Sequence, residues 1–543
     1  MDKLTISEVM VKQLELAGIK RIYGLIGDSL NRLGQAVRNS NIDWIAVRHE
    51  EVAAYAAAGE AEVSGKLTVC AGTCGPGSIH LINGLYEANR NQAPVLAIVS
   101  HIPSAEIGFD YFQSNHPERL FVDCSVFCEM LVNPAQMPRI LFEAMQTAIS
   151  RQGVAVLIIP GDLMESPVEK MPELRALVYQ RPTCVPDQDT IAQLAELLNR
   201  QQKVAFYCGY GCRDSMREVV LAAKLLQAPC MYTMRSHYFV ALDNPYAVGM
   251  NGYLANGSAK TAIEDCDCLV LLGTDYPYNG LLPKTPFIIQ IDADGTHIGR
   301  RSRVDFGVIG DLKITLQKLL PLLQQKNDSP FLAAALTHAE KVKIVEQNML
   351  HEKAAAATLE PEYLTSQISK AARDDAIFLI DVGLNDKWAA RFIEPAAGRM
   401  ILGSFKHGTM AAAVGEAIGI SFAMPQRQII ILSGDGGLTM LLGDLLTINQ
   451  YRLPLKIIVY NNGELGYINF EAQINGYIPF ATGLDNPDFA QIAEAMGFSA
   501  FKLVSPADID TFLPRALDNA EPVLIDARTN PAALGIVLEK SNL

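Results

Sequence analysis

Short apolar runs rich in β-branched residues recur along this chain, each closing on glycine or a polar residue, and most lead into stretches whose apolar positions fall three and four apart. A run of the first kind reads as a strand buried on both faces, and a stretch of the second kind as an amphipathic helix. The spacing predicts a helix over 5–17, with Ser7 near its start, and a strand over 21–25 that ends in Gly27-Asp28-Ser29. It predicts a strand over 44–51, whose acidic end leads into a small-residue helix over 52–62, and a further strand over 154–160. A second series follows. Strands over 204–208, 268–272 and 287–291 lead to Gly209-Tyr210-Gly211, Gly273-Thr274-Asp275 and Asp292. A third begins with a helix over 363–372 and a strand over 376–380 closing on Asp381-Val382-Gly383, which echoes the start of the chain and suggests a diverged copy. The fold class expected is α/β, with three doubly wound parallel-sheet domains over 1–175, 187–325 and 360–543. Pro182 and Pro186 mark a linker near 170–188, and a charged helical linker spans 326–359.

Length supports this division, because 543 residues exceed what one hydrophobic core serves. With 49% hydrophobic residues the chain can bury several cores, and a net charge of −14 excludes a nucleic-acid partner of the usual kind. No apolar run is long enough to span a bilayer, and Met1-Asp2-Lys3-Leu4-Thr5 lacks the basic-then-hydrophobic pattern of a leader, so a cytoplasmic location is expected. The ten cysteines include Cys70, Cys208 and Cys268 inside strand patterns, where they read as small buried hydrophobes.

The most informative stretch is 428–462, where two β-branched runs flank a helical pattern over 438–451 and end near Asp435 and Asn462. A right-handed βαβ crossover brings both to the carboxyl edge of one sheet, where such sheets bind ligands. A carboxylate, an amide oxygen and a nearby backbone carbonyl form a hard-oxygen set that suits Mg²⁺ together with phosphate oxygens. Gly434, Gly436 and Gly437 would let backbone approach those phosphates. Gly-Asp-Gly alone also fits an ordinary strand-to-helix turn; its pairing with Asn461-Asn462 is the more specific feature. Glu50 stands where a strand meets an Ala-rich helix. It could cap that helix, or, if buried, hold a proton near neutrality.

Arg48-His49-Glu50-Glu51, Gly72-Thr73-Cys74-Gly75-Pro76-Gly77 and the Gly-Asp-Gly with Asn-Asn occur in the order found in thiamine-diphosphate enzymes of the acetolactate synthase and pyruvate oxidase group, which the chain resembles over nearly its whole length. The resemblance implies a pyrimidine-binding first domain, a central FAD-type domain and a diphosphate-binding third domain. It implies that Asp435 and Asn462 hold Mg²⁺ through their side chains and Glu464 through its backbone oxygen. Gly27, Asp28, Gly75, His407, Gly408, Gly434, Gly436 and Gly437 would then contact thiamine diphosphate, Met410 would wedge it into a bent shape, and Glu50 would bond its pyrimidine nitrogen. Phe112 and Gln113, in a loop with His116-Pro117, would lie over the reacting carbon. Tyr467 and Ile468 would form an apolar wall, and Glu471 would handle protons. Gly209, Gly211, Arg235, Gly273, Thr274, Asp292 and Asp311 would hold FAD. Two departures stand out: Ser236 in Arg235-Ser236-His237, where the family usually has glycine, and Leu384-Asn385-Asp386 in place of a smaller or proline-containing turn.

The function so implied is oxidative decarboxylation of pyruvate to acetate and CO₂, with electrons passing to FAD and then a quinone. The rivals are an oxidase using O₂ and phosphate, and a non-redox thiamine-dependent decarboxylase or carboligase. The family implies a homo-oligomer, at least a dimer and by expectation a tetramer, whose cofactor cleft lies between subunits. Membrane contact would be peripheral at most, since the amphipathic tail of quinone-linked relatives has no counterpart after Ile536-Val537-Leu538-Glu539-Lys540.

Overall fold

In the computed structural model of this protein, the described residues are 4–168, 172–180, 183–276, 278–283, 286–327 and 329–534. Pro182 of the expected linker, the first three residues and the expected end at 536–540 lie outside them. Three six-stranded sheets, parallel throughout, each carry helices on their faces, which is the expected α/β architecture. Central strands such as Val95–His101 and Val154–Pro160 are buried end to end, which is why they read as unbroken apolar runs.

The first sheet orders its strands Asp43–Ala46, Arg21–Gly24, Thr68–Gly72, Val95–His101, Val154–Pro160, Phe127–Met130. The third has the same chain order: Met400–Gly403, Ile377–Ile380, Ile429–Gly434, Lys456–Asn461, Val523–Arg528, Ser499–Leu503. In both, the direction of winding reverses beside the first strand, and such reversal points leave a crevice at the carboxyl edge. In the third sheet that crevice lies between Ile377–Ile380 and Ile429–Gly434, directly above Asp381 and Asp435. The middle sheet runs Phe306–Ile309, Phe287–Asp292, Cys268–Leu272, Val204–Cys208, Cys230–Tyr232, Ala247–Met250. This is the order of dinucleotide-binding sheets, with its switch point between Cys208 and Leu272.

First and third domains share one core. The helices Glu50–Ser64 and Ala412–Ala423 pack face to face because small residues let their backbones approach. A Cβ on Gly59 would sit 2.5 Å from the Glu416 carbonyl oxygen, and one on Gly419 1.8 Å from that of Ala56.

Several elements differ from expectation. The strand expected over 44–51 ends at Ala46, and Glu50 and Glu51 form the first turn of the following helix. His49 caps that helix, its Nδ1 accepting from the Glu51 N–H at 3.2 Å, and acidic side chains favour a helix start. The first helix runs Ile6–Leu16, capped by Thr5 in a capping box with Glu8. The helix expected over 438–451 is broken into Asp435–Met440, a 3₁₀ turn Leu442–Asp444, and Leu445–Gln450. Asp444 explains the break, for its carboxylate accepts the Arg48 backbone N–H at 2.8 Å from the first domain. The helical linker contains one 25-residue helix, Pro330–Ala354. Among the described residues no helix is long and apolar enough to cross a membrane.

Candidate active site

The third sheet ends beneath a cavity of about 140 Å³ whose lining includes nine of the residues singled out from sequence: Met410, Gly434, Asp435, Gly436, Gly437, Asn462, Glu464, Tyr467 and Ile468. Asp435 is 2% exposed. Its Oδ2 accepts from the Gly463 N–H and from Asn486 Nδ2, both at 2.7 Å, and its Oδ1 from the Gly436 N–H at 2.9 Å. Burial raises its pKa above the usual carboxylate range, while those donors work to lower it. Asn462 Oδ1 accepts from the Glu464 N–H at 3.0 Å, which draws the Asn462 side chain and the Glu464 backbone together. The glycines serve different ends. A Cβ on Gly437 would lie 1.9 Å from Asp381 Oδ2, whereas one on Gly383, at φ +148°, would meet nothing within 4 Å. Asp381 is fully buried beneath the crevice, and burial pushes its carboxyl up to about 7.

Oxygen donors from Asp435, Asn462 and Glu464 therefore line one crevice that is open beside Gly383, a donor set and a cradle that fit a diphosphate with Mg²⁺. Bound thiamine diphosphate supplies an electron sink for cleavage next to a carbonyl.

The first-domain residues gather at the carboxyl edge of their own sheet. Glu50 is 5% exposed, with Oε2 2.9 Å from His80 Nδ1 and Oε1 close against Gly77. Gly75 has φ +67°, and a Cβ there would sit 2.7 Å from the Gln113 Cβ. Gln113 itself adopts φ +64°, its Oε1 accepting from Cys74 Sγ at 3.0 Å. Gly27 packs against Thr73, Asp28 is exposed, and Phe112 is 78% exposed in its loop. None of these residues lines the third-domain cavity, which is walled by residues from 361 onward. His407 joins the two domains instead. Its Nε2 lies 2.8 Å from Asn83 Oδ1 and its ring stacks on Tyr86, while burial lowers its pKa. Gly408 and Glu471 are exposed.

In the middle domain, Gly209, Gly211 and Gly273 sit at the switch point and pack against one another: a Cβ on Gly209 would lie 2.4 Å from the Gly273 oxygen and the same distance from the Thr274 Cβ. Arg235 pairs with Glu62 of the first domain at 3.6 Å and covers the Tyr210 ring at 4.2 Å. Asp292 lies 3.1 Å from His297 Nδ1, which raises the histidine's pKa, and Asp311 caps the helix Leu312–Leu319 through the Ile314 N–H. Ser236 ends the 3₁₀ turn Met234–Ser236. It is fully buried, its hydroxyl donating to the Cys208 carbonyl at 2.7 Å. His237, stacked on Tyr232, is likewise buried, which lowers its pKa to about 4.

Sequence reasoning missed His80 beside Glu50, Asn486 on Asp435, and Lys387 behind the cavity wall. Each meets its partner across a long stretch of chain, and no local pattern announces such a pairing.

Residues 4–120 match the family model described as thiamine pyrophosphate enzyme, N-terminal TPP binding domain. Residues 191–319 match the central domain of the same enzymes, and 381–527 their C-terminal TPP binding domain. A putative thiamine pyrophosphate-containing protein of Bacillus subtilis is 34% identical over 525 residues, 96% of this chain and 91% of that protein. The pyruvate oxidase of Lactiplantibacillus plantarum is 31% identical over 531 residues, 95% of this chain and 87% of its own. A probable acetolactate synthase large subunit of Methanocaldococcus jannaschii is 28% identical over 549 residues, 97% of this chain and 92% of its own. With such likeness running nearly end to end, this chain belongs to the thiamine pyrophosphate enzyme family, as a thiamine diphosphate-dependent enzyme related to pyruvate oxidase and the acetolactate synthases.

Proposed function

We propose that the protein catalyses oxidative decarboxylation of pyruvate to acetate and CO₂ with thiamine diphosphate and Mg²⁺, and delivers the electrons to FAD and then to a quinone. The observation that carries the reading is the middle sheet's dinucleotide strand order with glycine turns at its switch point, beside a third-domain crevice of hard oxygen donors. The Ser236 hydroxyl, buried on the Cys208 carbonyl, is compatible with a flavin there. FAD, when bound, supplies a two-electron acceptor.

The protein's own part follows from its residues. Asp435, Asn462 and the Glu464 carbonyl would hold the cation and so orient the diphosphate; all three residues line the cavity. Met410, Tyr467 and Ile468 offer an apolar wall to the cavity. Glu50, buried against His80, would hold or release a proton at the pyrimidine, and Glu471 at the substrate. Glu50 is apart from the cavity on one chain, which supports a homo-oligomer in which a second copy's first domain completes each site. The similarity to acetolactate synthases, together with the engagement of Arg235 by Glu62 and of Asp292 by His297, favours a second reading as a non-redox carboligase.

The deciding experiment is the visible spectrum of purified protein under anaerobic conditions, before and after pyruvate with thiamine diphosphate and Mg²⁺. Oxidised-flavin bands that bleach support the oxidase. Bands that persist, or protein that takes up no FAD, overturn it and direct the assay to acetolactate.

A further inference from the structure

Two helices face each other at the substrate end of the cavity. Leu384, Asn385 and Trp388 line it from Leu384–Phe392, and Tyr467 and Ile468 from Gly466–Ile474. Lys387, on the first helix, is 2% exposed, and its Nζ has no hydrogen-bond partner among the described residues. The amine lies 3.0 Å from the centroid of the Phe470 ring and 5.4 Å from that of Tyr467. Burial pushes its pKa down to about 8, with the Arg391 charge adding to the shift and Glu471 opposing it. The negative faces of aromatic rings are the partners that a desolvated ammonium without acceptors can use.

The helix that Lys387 meets packs on the third-domain core through Tyr467 and Phe470 and is otherwise largely exposed. Of its nine residues only Gly466 and Asn469 are buried. Ile468 and Ile474 are 50% and 65% exposed, and the chain runs on through Tyr477, Ile478 and Phe480, more exposed still. Tyr467, Phe470 and Glu471 stand at i, i+3 and i+4, hence on one face of that helix. Asn469 Nδ2 donates to Glu464 Oε2 at 2.6 Å and fixes the helix near its start, and on its aromatic face Phe470 meets both the third-domain core and the lysine.

We propose that Lys387 is a positioning residue of the candidate site, its ammonium fixing the aromatic face of the helix Gly466–Ile474 so that Tyr467 and Glu471 are held at the substrate end of the cavity. The roles of Tyr467 and Glu471 rest on the proposed function; the anchoring of the helix does not. A lysine that merely filled space would be replaced well by methionine, of similar length, and badly by the larger arginine. A lysine that acts through its charge shows the reverse order, because a guanidinium also stacks on aromatic faces.

The test compares Lys387→Met and Lys387→Arg with the native full chain by limited chymotrypsin digestion at pH 7, following cleavage after Tyr477 and Phe480 by mass spectrometry. Far-UV circular dichroism checks that each variant is folded, and Lys387→Gln replaces the methionine variant if that one is not. The expected result is cleavage several-fold faster in Lys387→Met and native-like in Lys387→Arg. Native-like cleavage of Lys387→Met, or cleavage of Lys387→Arg as fast as that of Lys387→Met, overturns the proposal. In turnover at saturating cofactor, kcat of Lys387→Met falls several-fold while thiamine diphosphate affinity holds; an unchanged kcat overturns the positioning role. If the native chain turns over no 2-oxo acid, the proposed function fails, and the digestion still decides the anchor.

Discussion

Glu416 is 1% exposed in the middle of the helix Ala412–Ala423, and neither carboxyl oxygen has a hydrogen-bond partner among the described residues. Burial raises its pKa well above the ordinary value, and the neighbouring Glu87, Glu62 and Asp381 raise it further, against Arg235. Its neighbour Glu87 is equally buried but satisfied, accepting from Asn91 Nδ2 at 2.6 Å and from the Ser404 hydroxyl. Glu416→Met keeps the volume and removes an unsatisfied polar group, a gain of about 1–3 kcal/mol even with the carboxyl neutral. The pH dependence follows from the direction of the shift. The folded chain holds this proton to higher pH than the unfolded chain, so the native carboxyl's contribution is most favourable below its unfolded value of 4.5. It declines as pH rises from there toward the folded pKa, by about 1.4 kcal/mol per unit within that window. The variant's advantage therefore grows with pH. The assay is calorimetric unfolding of native, Glu416→Met and Glu416→Gln protein at pH 5 and pH 8, read as shifts in the transition midpoint because a chain of several domains does not unfold in two states. Glu416→Met is expected to melt about 2–6 °C higher at pH 5 and higher again at pH 8, with Glu416→Gln gaining mainly at pH 8. A midpoint that falls in Glu416→Met, or a gain that stays constant between the two pH values, refutes the reasoning.

Asp435→Ala is expected to weaken Mg²⁺-dependent thiamine diphosphate binding by roughly 100-fold or more in isothermal titration, since even partners of metal ligands act on that scale; native affinity would remove Asp435 from the site. Glu50→Gln should bind the cofactor almost normally and lose about 10²- to 10⁴-fold in turnover, as expected for a proton-handling group, and unchanged turnover would end that assignment. Mixing those two inactive variants under subunit exchange should restore about a quarter of the native sites if each site takes Glu50 from one copy and Asp435 from another, and none if both act within one chain. Gly437→Ala should lower thermal stability by about 1–3 kcal/mol through its clash with Asp381, while Gly443→Ala, with open space around it, should cost little; equal effects would contradict the packing described.

The strands are legible in the sequence because parallel strands buried on both faces need an apolar centre, as Ile429–Leu432 and Ile457–Tyr460 supply, and the residues closing them are local to the chain. For the same reason Asp435 and Asn462 are readable as a pair: one crossover sets their meeting, and both line the cavity. Glu50 reads from sequence as the end of a strand, yet the helix begins where His49 caps it; a buried strand end and an acidic first helical turn share the same residue types. The break in the helical pattern at Leu441 is invisible for a different reason, since Asp444 answers to Arg48 in another domain. The same limit explains Arg235, whose salt bridge to Glu62 belongs to the meeting of the first and middle domains rather than to any local motif.

The first and third sheets carry one strand order, yet their crevices are furnished with different chemistry, Glu50 and Gln113 standing at one and Asp435, Asn462 and Glu464 at the other. Their shared core holds these crevices in fixed relation, for the helix that begins at Glu50 packs along its length on the helix that follows Met410. The buried Glu416 stands in that interface, so its replacement tests the packing that joins the two crevices.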